Sequence, residues 1–144
     1  MLKCRVIPIL TFNGFALVKT KGFGSNARMI GNAVQAAKVY NSRNVDELVF
    51  LDIYASKKNR KMNLQMARLI IDECFMPVAL GGGIKTIKDI EDLLAIGADK
   101  VVLKSKIIEN PEFINEASSI YGNQCITLAI DAVKKEDNRY YLYN

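Results

Sequence analysis

The stretch FMPVALGGGIKTIKDI, residues 75–90, decides how this chain folds. A short apolar run, Pro77–Leu80, leads into three consecutive glycines, and Thr86 then stands where a helix-capping residue is expected. A strand, a glycine turn and an amphipathic helix in that order are typical of the βα units that build parallel sheets. The stretch therefore predicts an α/β protein.

The three glycines, Gly81–Gly83, allow two interpretations. Glycine tolerates positive φ and lets backbone N–H groups approach an anion, and the N-terminus of the next helix adds partial positive charge. These properties would suit a phosphate cradle. The alternative is a tight turn, but three glycines in succession cost backbone entropy that an ordinary turn does not require. We favour the cradle, although the spacing matches neither a Walker loop nor a dinucleotide-binding motif.

The same alternation of strand and helix recurs along the chain, roughly every 25 residues. The predicted strands are Cys4–Phe12, Glu47–Ile53, Pro77–Leu80, Lys100–Ser105 and Gln124–Asp131. The four predicted helices cover 31–42, 63–74, a segment from Thr86, and a segment from Pro111 to about Gly122. Residues 13 to about 30 are predicted to form a loop, and the C-terminal tail a hairpin that turns at Asp137 and Asn138.

Two parallel-sheet architectures fit this pattern, an open doubly wound sheet and a (β/α)8 barrel. The length of 144 residues suits the open sheet, because a complete barrel typically needs ~250 residues. The side-chain pattern favours the barrel. Arg5, Glu47 and Lys100 open three strands and share the parity of the apolar residues above them, so they would face the barrel interior and could pair there. Alternatively, strand ends fray into solvent and tolerate any charge.

The composition excludes several kinds of site. The chain has no histidine, so a Ser-His-Asp triad, a Cys-His pair and an imidazole-bound metal are ruled out, and proton transfer must use carboxylate, lysine, tyrosine or water. The net charge of +5 is spread along the chain, which argues against a nucleic-acid platform and is better suited to a phosphorylated small molecule. No cofactor is expected.

The apolar residues indicate one domain with a buried core, since hydrophobic residues make up 50% of the chain. No run reaches the ~18 apolar residues of a membrane span, so we expect a chain without a membrane segment. The cysteines Cys4, Cys74 and Cys125 each lie in an apolar segment at long spacing. They predict buried thiols in a reducing cytoplasm, not disulfides or a zinc site.

Polar residues at the carboxyl ends of the predicted strands are candidates for a site, because parallel barrels carry their chemistry at that rim. Lys104 and Ser105 end the fourth strand beside the glycines, and their ammonium and hydroxyl could complete a phosphate site. Asp52 and Asp131 end two other strands, and Asp131 shares parity with Thr127 and could face the barrel mouth. Alternatively, these groups are solvated strand ends or loop caps.

Seven segments carry a resemblance to a known family: RVIPIL, LVK, DELVFLDI, GGGI, GADKV, ENPE and QC followed by AIDA. In this order the chain resembles the cyclase subunit family of imidazole glycerol phosphate synthase from Met1 to about Ala132. The resemblance implies a (β/α)8 barrel that takes ammonia from a separate glutaminase and joins it to a bis-phosphorylated ribulosyl substrate in histidine biosynthesis. Residues 1–144 would then form a single incomplete barrel domain, the N-terminal half plus strand five.

The resemblance also implies roles for individual residues. Arg5, Glu47 and Lys100 match three members of a charged gate for ammonia. Asp131 matches a catalytic aspartate, and Asp99 lies near the glutaminase docking face. Residues matching substrate or phosphate contacts are Lys19, Asp52, Gly82, Gly83 and Ser105, with Lys104 in place of an asparagine.

One departure concerns Thr11, which stands where the family has its other catalytic aspartate. A threonine hydroxyl does not titrate near neutral pH and cannot replace a carboxylate in proton transfer. The segments LVKTKGF, VDEL and ECFMP resemble a paralogous branch that helps to amidinate cell-surface sugars. A third possibility is an inactive scaffold that docks a glutaminase. An incomplete barrel also leaves open strand edges, which predict self-association.

Overall fold

The computed structural model describes residues 4–21 and 27–143 and is built around one mixed sheet. The sheet has seven strands in the order β3-β2-β1-β4-β5-β6-β7. The strands are β1 Ile9–Phe12, β2 Leu17–Thr20, β3 Ala27–Gly31, β4 Leu48–Asp52, β5 Val78–Gly81, β6 Lys100–Leu103 and β7 Ile126–Leu128. The neighbouring pairs from β1 through β4, β5 and β6 to β7 are all parallel, which confirms the predicted five parallel strands.

Helices connect the parallel strands, and polar side chains mark where several of them begin. The helices are α1 Ala33–Ser42, α2 Leu64–Ile71, α3 Ile87–Ala95, α4 Ser105–Glu109 and α5 Glu112–Tyr121, with a short 3-10 turn at Asn123–Cys125. The predicted cap at Thr86 is confirmed: its side chain accepts a hydrogen bond from Asp89 N, and the Asp89 side chain accepts one in return from Thr86 N. No helix among the described residues is both long enough and apolar enough to cross a lipid bilayer.

One face of the sheet, here called the covered face, packs against the helices. Its strand residues are at most 7% exposed and belong to one cluster with apolar residues of α1, α2, α3 and α5. Phe12 and Phe50 are in contact there, with ring centroids 5.1 Å apart. The members from the strands are Leu10, Phe12, Leu48, Phe50, Val78, Leu80, Val101 and Leu103. Burial of this face against helices accounts for most of the apolar core.

The opposite face, here called the open face, carries the alternate residues of the same strands. These residues form two rows that run across the strands. The first row is Ile9, Val49, Ala79 and Lys100, and the second, two residues further along each strand, is Thr11, Leu51, Gly81, Val102 and Thr127. Ile9 is 61% exposed, whereas Ala79 and Val102 are buried. The open face corresponds to the interior of a barrel.

Several predicted boundaries were wrong. The predicted loop contains the strands β2 and β3, which form an antiparallel hairpin attached to β1 through Phe12 and Leu17. The first strand is shorter than predicted, beginning at Ile9, and Pro8 just before it lacks a backbone N–H for a strand ladder. Ser105 does not end a strand but begins the additional helix α4. The predicted C-terminal hairpin is confirmed as β8 Ala132–Lys134 and β9 Tyr140–Leu142.

The prediction of buried thiols was wrong for Cys4, which is exposed, and too strong for Cys74 and Cys125, which are half-buried. Cys4 precedes β1, which begins at Ile9, and does not belong to the core cluster. All three are free cysteines. Partial burial, followed by the nearby Glu73 carboxylate, raises the pKa of the Cys74 thiol to about 11.

Candidate functional site

At the amino ends of the parallel strands, three charged side chains meet in what we call the charge cluster, Arg5, Glu47 and Lys100. Lys100 Nζ lies 2.8 Å and 2.7 Å from the two carboxylate oxygens of Glu47. Arg5 Nη1 lies 3.9 Å from Glu47 Oε2. The Glu47 side chain is only 7% exposed, whereas that of Arg5 is 64% exposed. The parity argument thus placed these charges correctly, with a buried anion held by one close and one peripheral cation.

Two aspartates brace the strands that carry the cluster. Asp46 N donates to Val6 O, and Asp46 Oδ2 accepts a hydrogen bond of 2.7 Å from Val6 N. Asp99 makes the same two bonds with Val78, one of 2.9 Å from its backbone N–H and one of 2.8 Å to its carboxylate. Each aspartate directly precedes a cluster residue, so each fixes the start of a strand. Sequence reasoning missed this role of Asp46; its signal is an aspartate immediately before a charged strand residue.

At the opposite, carboxyl ends of the strands lies a cleft of about 680 Å³. Its lining includes four residues that the sequence analysis singled out, Thr11, Lys104, Ser105 and Asp131. It also includes Lys57 and Glu109, together with Tyr54 and Ser56 of the loop after β4, which the sequence analysis did not consider. The cleft is large enough for a small phosphorylated molecule and carries both cations and carboxylates.

Thr11 is half-buried on the open face, and its hydroxyl is already occupied. Thr11 Oγ1 donates a hydrogen bond to the backbone carbonyl of Val18 on β2. The Thr11 hydroxyl proton is therefore committed to a backbone carbonyl and is not available for donation to a ligand. In this position Thr11 fastens the hairpin to β1.

Asp131 faces the cleft from the residues that follow β7. Its carboxylate forms an ion pair with Lys104 Nζ, and the two side chains are 25% and 47% exposed. Ser105, the next residue after Lys104, lines the same cleft. A carboxylate, an ammonium and a hydroxyl therefore converge at this rim.

The glycines do not line this cleft. Gly82 and Gly83 border a separate small pocket of about 60 Å³, and both have positive φ, 129° and 71°. A Cβ on Gly82 would lie 2.5 Å from Asp52 O, and one on Gly83 would lie 2.3 Å from Arg60 O. The close approach of backbone therefore requires glycine at both positions, which supports the tight-turn interpretation.

The N-terminus of α3 beside these glycines already holds an anion. Backbone N–H groups of Lys85 and Thr86 each donate to Asp89 Oδ2 at 2.9 Å. Lys61 Nζ lies 2.5 Å from Asp89 Oδ1. Burial by itself would raise the pKa of Asp89, but the bonds from Lys61, Lys85 and Thr86 outweigh it and lower the pKa to about 2. The positive end of the helix is thus neutralised within the protein, so the cradle at Gly82 and Gly83 stays a prediction.

Asp52 also lies outside the cleft, on the covered face. Its side chain is fully buried, and both oxygens are bound by Arg60, at 2.5 Å and 2.9 Å. Arg60 reaches further to Asn13 O at 3.2 Å, so the pair clamps the loop after β1 to the loop after β4. A direct contact of Asp52 with a ligand is therefore not supported. The sequence analysis missed Arg60 because it lies in a charged run, SKKNRK, that resembles a solvated loop.

Lys19 is exposed on β2 and stands opposite Arg28 in the hairpin. Its neighbour Thr20, not Lys19 itself, is among the residues that line the cleft. Its predicted contact with substrate stays a prediction.

Comparison with known proteins gives one consistent result. A family described as histidine biosynthesis protein matches residues 5–143. A Campylobacter jejuni protein, provisionally named imidazole glycerol phosphate synthase subunit hisF2, is 42% identical over 100% of this chain and 57% of its own length. Imidazole glycerol phosphate synthase subunit HisF of Streptococcus mutans is 41% identical over 99% of this chain and 57% of its own. The protein of the same name from Methanocorpusculum labreanum is 44% identical over 94% of this chain and 50% of its own length. The chain thus spans about half the length of the curated relatives it matches.

Proposed function

Because the chain belongs to the histidine biosynthesis protein family, a family of (β/α)8 barrels, we propose that it supplies the ammonia-accepting part of a cyclase of the imidazole glycerol phosphate synthase type. The observation that carries the proposal is the charge cluster at one pole of the open face with Asp131 at the other. Ammonia would enter at the first pole and react at the second.

The open face between the two poles suits passage of neutral ammonia. Val49, Leu51 and Val102 lie on that face between the cluster and the cleft. Apolar surroundings disfavour the charged ammonium form, so ammonia that enters between such side chains stays neutral and nucleophilic. The exposed Arg5 is the member of the cluster that can move most easily to admit it, since its contact with Glu47 is the longest.

At the carboxyl pole, Asp131 would transfer protons as ammonia joins the substrate and the ring closes. Ser105 and Lys104 would contact a phosphate group of the ribulosyl substrate, and Lys19 another part of it. The rest of the barrel, which this half does not contain, would bring the second phosphate site. Gly82 and Gly83 would contribute only through their backbone.

A second candidate function is favoured by Thr11. Its hydroxyl donates to Val18 O, and because a threonine hydroxyl does not titrate near neutral pH it cannot act as a base, so ring closure would lack the partner of Asp131. We therefore keep the paralogous role, in which the barrel delivers ammonia for amidination of a cell-surface sugar. In this case the charge cluster keeps its function and only the chemistry at the cleft differs.

Both candidates require a glutaminase at the amino pole. Asp99 is exposed there, in the turn before β6. Phe75, in the turn before β5, is 93% exposed, and a large exposed aromatic side chain is typical of a protein interface. A chain that only docks and stimulates a glutaminase would use the same residues.

The experiment combines the chain with the glutaminase subunit of an imidazole glycerol phosphate synthase and with the C-terminal part of the Streptococcus mutans relative. Glutamine hydrolysis and turnover of the ribulosyl substrate with ammonium chloride are measured separately, for the chain and for Thr11→Asp. Turnover by the unaltered chain supports the cyclase, and turnover only by Thr11→Asp supports the paralogue. Stimulated hydrolysis without turnover in either protein supports the scaffold, and no effect on either reaction contradicts the proposal.

A further inference from the structure

The ion pair between Lys104 and Asp131 engages the carboxylate that the proposed function uses for proton transfer. Both side chains are partly exposed, at 47% and 25%, so a ligand can reach them. Thr11, which also lines the cleft, offers no carboxylate. The Asp131 carboxylate is therefore engaged by a cation that a ligand can also reach.

We propose that Lys104 is exchanged between Asp131 and an anionic group of the ligand, a phosphate monoester, so that anion binding releases the Asp131 carboxylate. The proposal rests on the proposed function for the nature of the ligand. It assigns Lys104 as a residue that determines specificity and positions Asp131.

The sheet holds the two residues close while leaving their side chains free. Lys104 follows β6 and Asp131 follows β7, and Ala129 N donates to Leu103 O at 2.9 Å just before both. Tyr143 N donates to Asp131 O at 2.9 Å, which fixes the backbone of Asp131 further. Exchange therefore needs only rotation of the Lys104 side chain, which has four flexible carbons.

Charge decides the direction of the exchange. A phosphate monoester carries nearly two negative charges at neutral pH, whereas Asp131 carries at most one. Because Coulomb attraction scales with charge, the ammonium favours the phosphate when both are within reach. Ser105, the next residue after Lys104, lines the same cleft and can donate to the phosphate, and Lys57 adds a second cation to the lining. Glu109, at the end of α4, also lines the cleft, and its carboxylate opposes anion binding.

The exchange explains what a lysine adds at this position. The family resemblance implies an asparagine here, and an asparagine could donate to a phosphate without neutralising Asp131. A lysine makes the availability of the carboxylate depend on an anion being bound. The cleft would then favour anionic ligands over neutral ones of the same shape.

The test is a double-mutant cycle on binding of inorganic phosphate, measured by titration calorimetry on the whole chain at low ionic strength. Lys104→Met should weaken phosphate binding about 10-fold, since a direct ionic contact is lost. Asp131→Asn should strengthen it about 5-fold when Lys104 is present, but less than about 2-fold in the Lys104→Met background. Lys106→Met is the matched control, because Lys106 lies two residues along, over the Phe113 ring, and should leave binding unchanged.

Equal effects of Asp131→Asn in both backgrounds would overturn the exchange, as would an unaltered affinity in Lys104→Met. Circular dichroism of each variant shows whether it is folded and so separates loss of binding from loss of folding. Lys104→Asn is a second substitution that removes the charge if Lys104→Met does not fold. The cycle does not depend on turnover. If the effect of Asp131→Asn depends on Lys104 but the ribulosyl substrate is not converted, the proposed reaction fails while the exchange stands. If the substrate is converted but the effects of the two substitutions on phosphate binding are additive, the exchange fails while the proposed reaction stands.

Discussion

The hydroxyl of Thr11 and the carboxylates of Glu47 and Asp52 differ in what surrounds them, and this sets what each can do. Asp52 is enclosed by Arg60 and fastens two loops together. Glu47 is buried beside two cations, Lys100 at close range and Arg5 at the periphery. Thr11 is bound to a carbonyl of the hairpin. Residue type alone does not separate these roles, because burial and partner decide them.

Removal of the Glu47 charge should destabilise the fold. In Glu47→Gln the ammonium of Lys100, 28% exposed, loses its carboxylate partner, and we expect a loss of about 2 kcal/mol because a partly buried cation is left uncompensated. Urea denaturation measures the free energy of unfolding. Arg5→Gln is the control: its side chain is 64% exposed, so a change below about 0.5 kcal/mol is expected. Similar losses in both variants would contradict this assignment.

At the scale of secondary-structure elements, the junction between β5 and α3 depends on close backbone packing and an internal cap. The glycines let β5 turn against the backbone of Asp52 and Arg60. Asp89 then closes the first turn of α3 and binds Lys61. The element therefore begins where local polar groups satisfy the helix terminus.

A side chain at Gly83 should be more damaging than one at another glycine of positive φ. Gly83→Ala combines a φ of 71° with a Cβ contact of 2.3 Å to Arg60 O, and we expect a loss of about 3 kcal/mol. Gly31→Ala shares the positive φ but meets nothing within 4 Å, so about 1 kcal/mol is expected. Thermal unfolding of both variants measures how much stability each loses. Equal losses of stability would show that packing against Arg60 is unimportant.

The cap also predicts how stability depends on acid. The pKa of Asp89 is about 2 in the folded chain, against 3.8 as the ordinary value. A lowered pKa contributes stability above pH 3.8 that is lost as the pH falls toward 2, amounting to roughly 2 kcal/mol. Urea denaturation between pH 5 and pH 2 should show this loss in the unaltered chain and a smaller one in Asp89→Asn. If the free energy of unfolding fell equally with pH in the two proteins, the Asp89 carboxylate would not be the source of the acid-dependent loss.

At the scale of the whole molecule, the covered face is complete and the open face is not. Helices bury the first, whereas Ile9 at one end of the parallel strands and Ile130 beyond β7 at the other are 61% and 64% exposed. Unpaired strand edges with apolar residues are sites of association. The barrel architecture needs further strands to cover these residues, whether from a second copy or from a complementary polypeptide.

The chain by itself should therefore associate through its sheet edges. We expect analytical ultracentrifugation to show dimers or larger species at about 10 μM, because the open edge at β7 favours strand pairing. Leu128→Lys places a charge on β7, where Leu128 is 42% exposed, and should shift the population toward monomer. Leu69→Lys, on α2 at 52% exposure, is the control and should not. A folded monomer for the unaltered chain would refute self-association.

The alternation of strand and helix, the cap at Thr86 and the common parity of Arg5, Glu47 and Lys100 could be read from the sequence, because they follow from local periodicity and capping chemistry. The sequence did not reveal the hairpin of β2 and β3, the clamp between Asp52 and Arg60, or the pairing of Lys104 with Asp131. Each of these joins residues from separate elements, and the partner of a buried charge depends on which backbones the sheet brings together. Only the tertiary structure could therefore distinguish a carboxylate that faces the cleft from one enclosed beneath it.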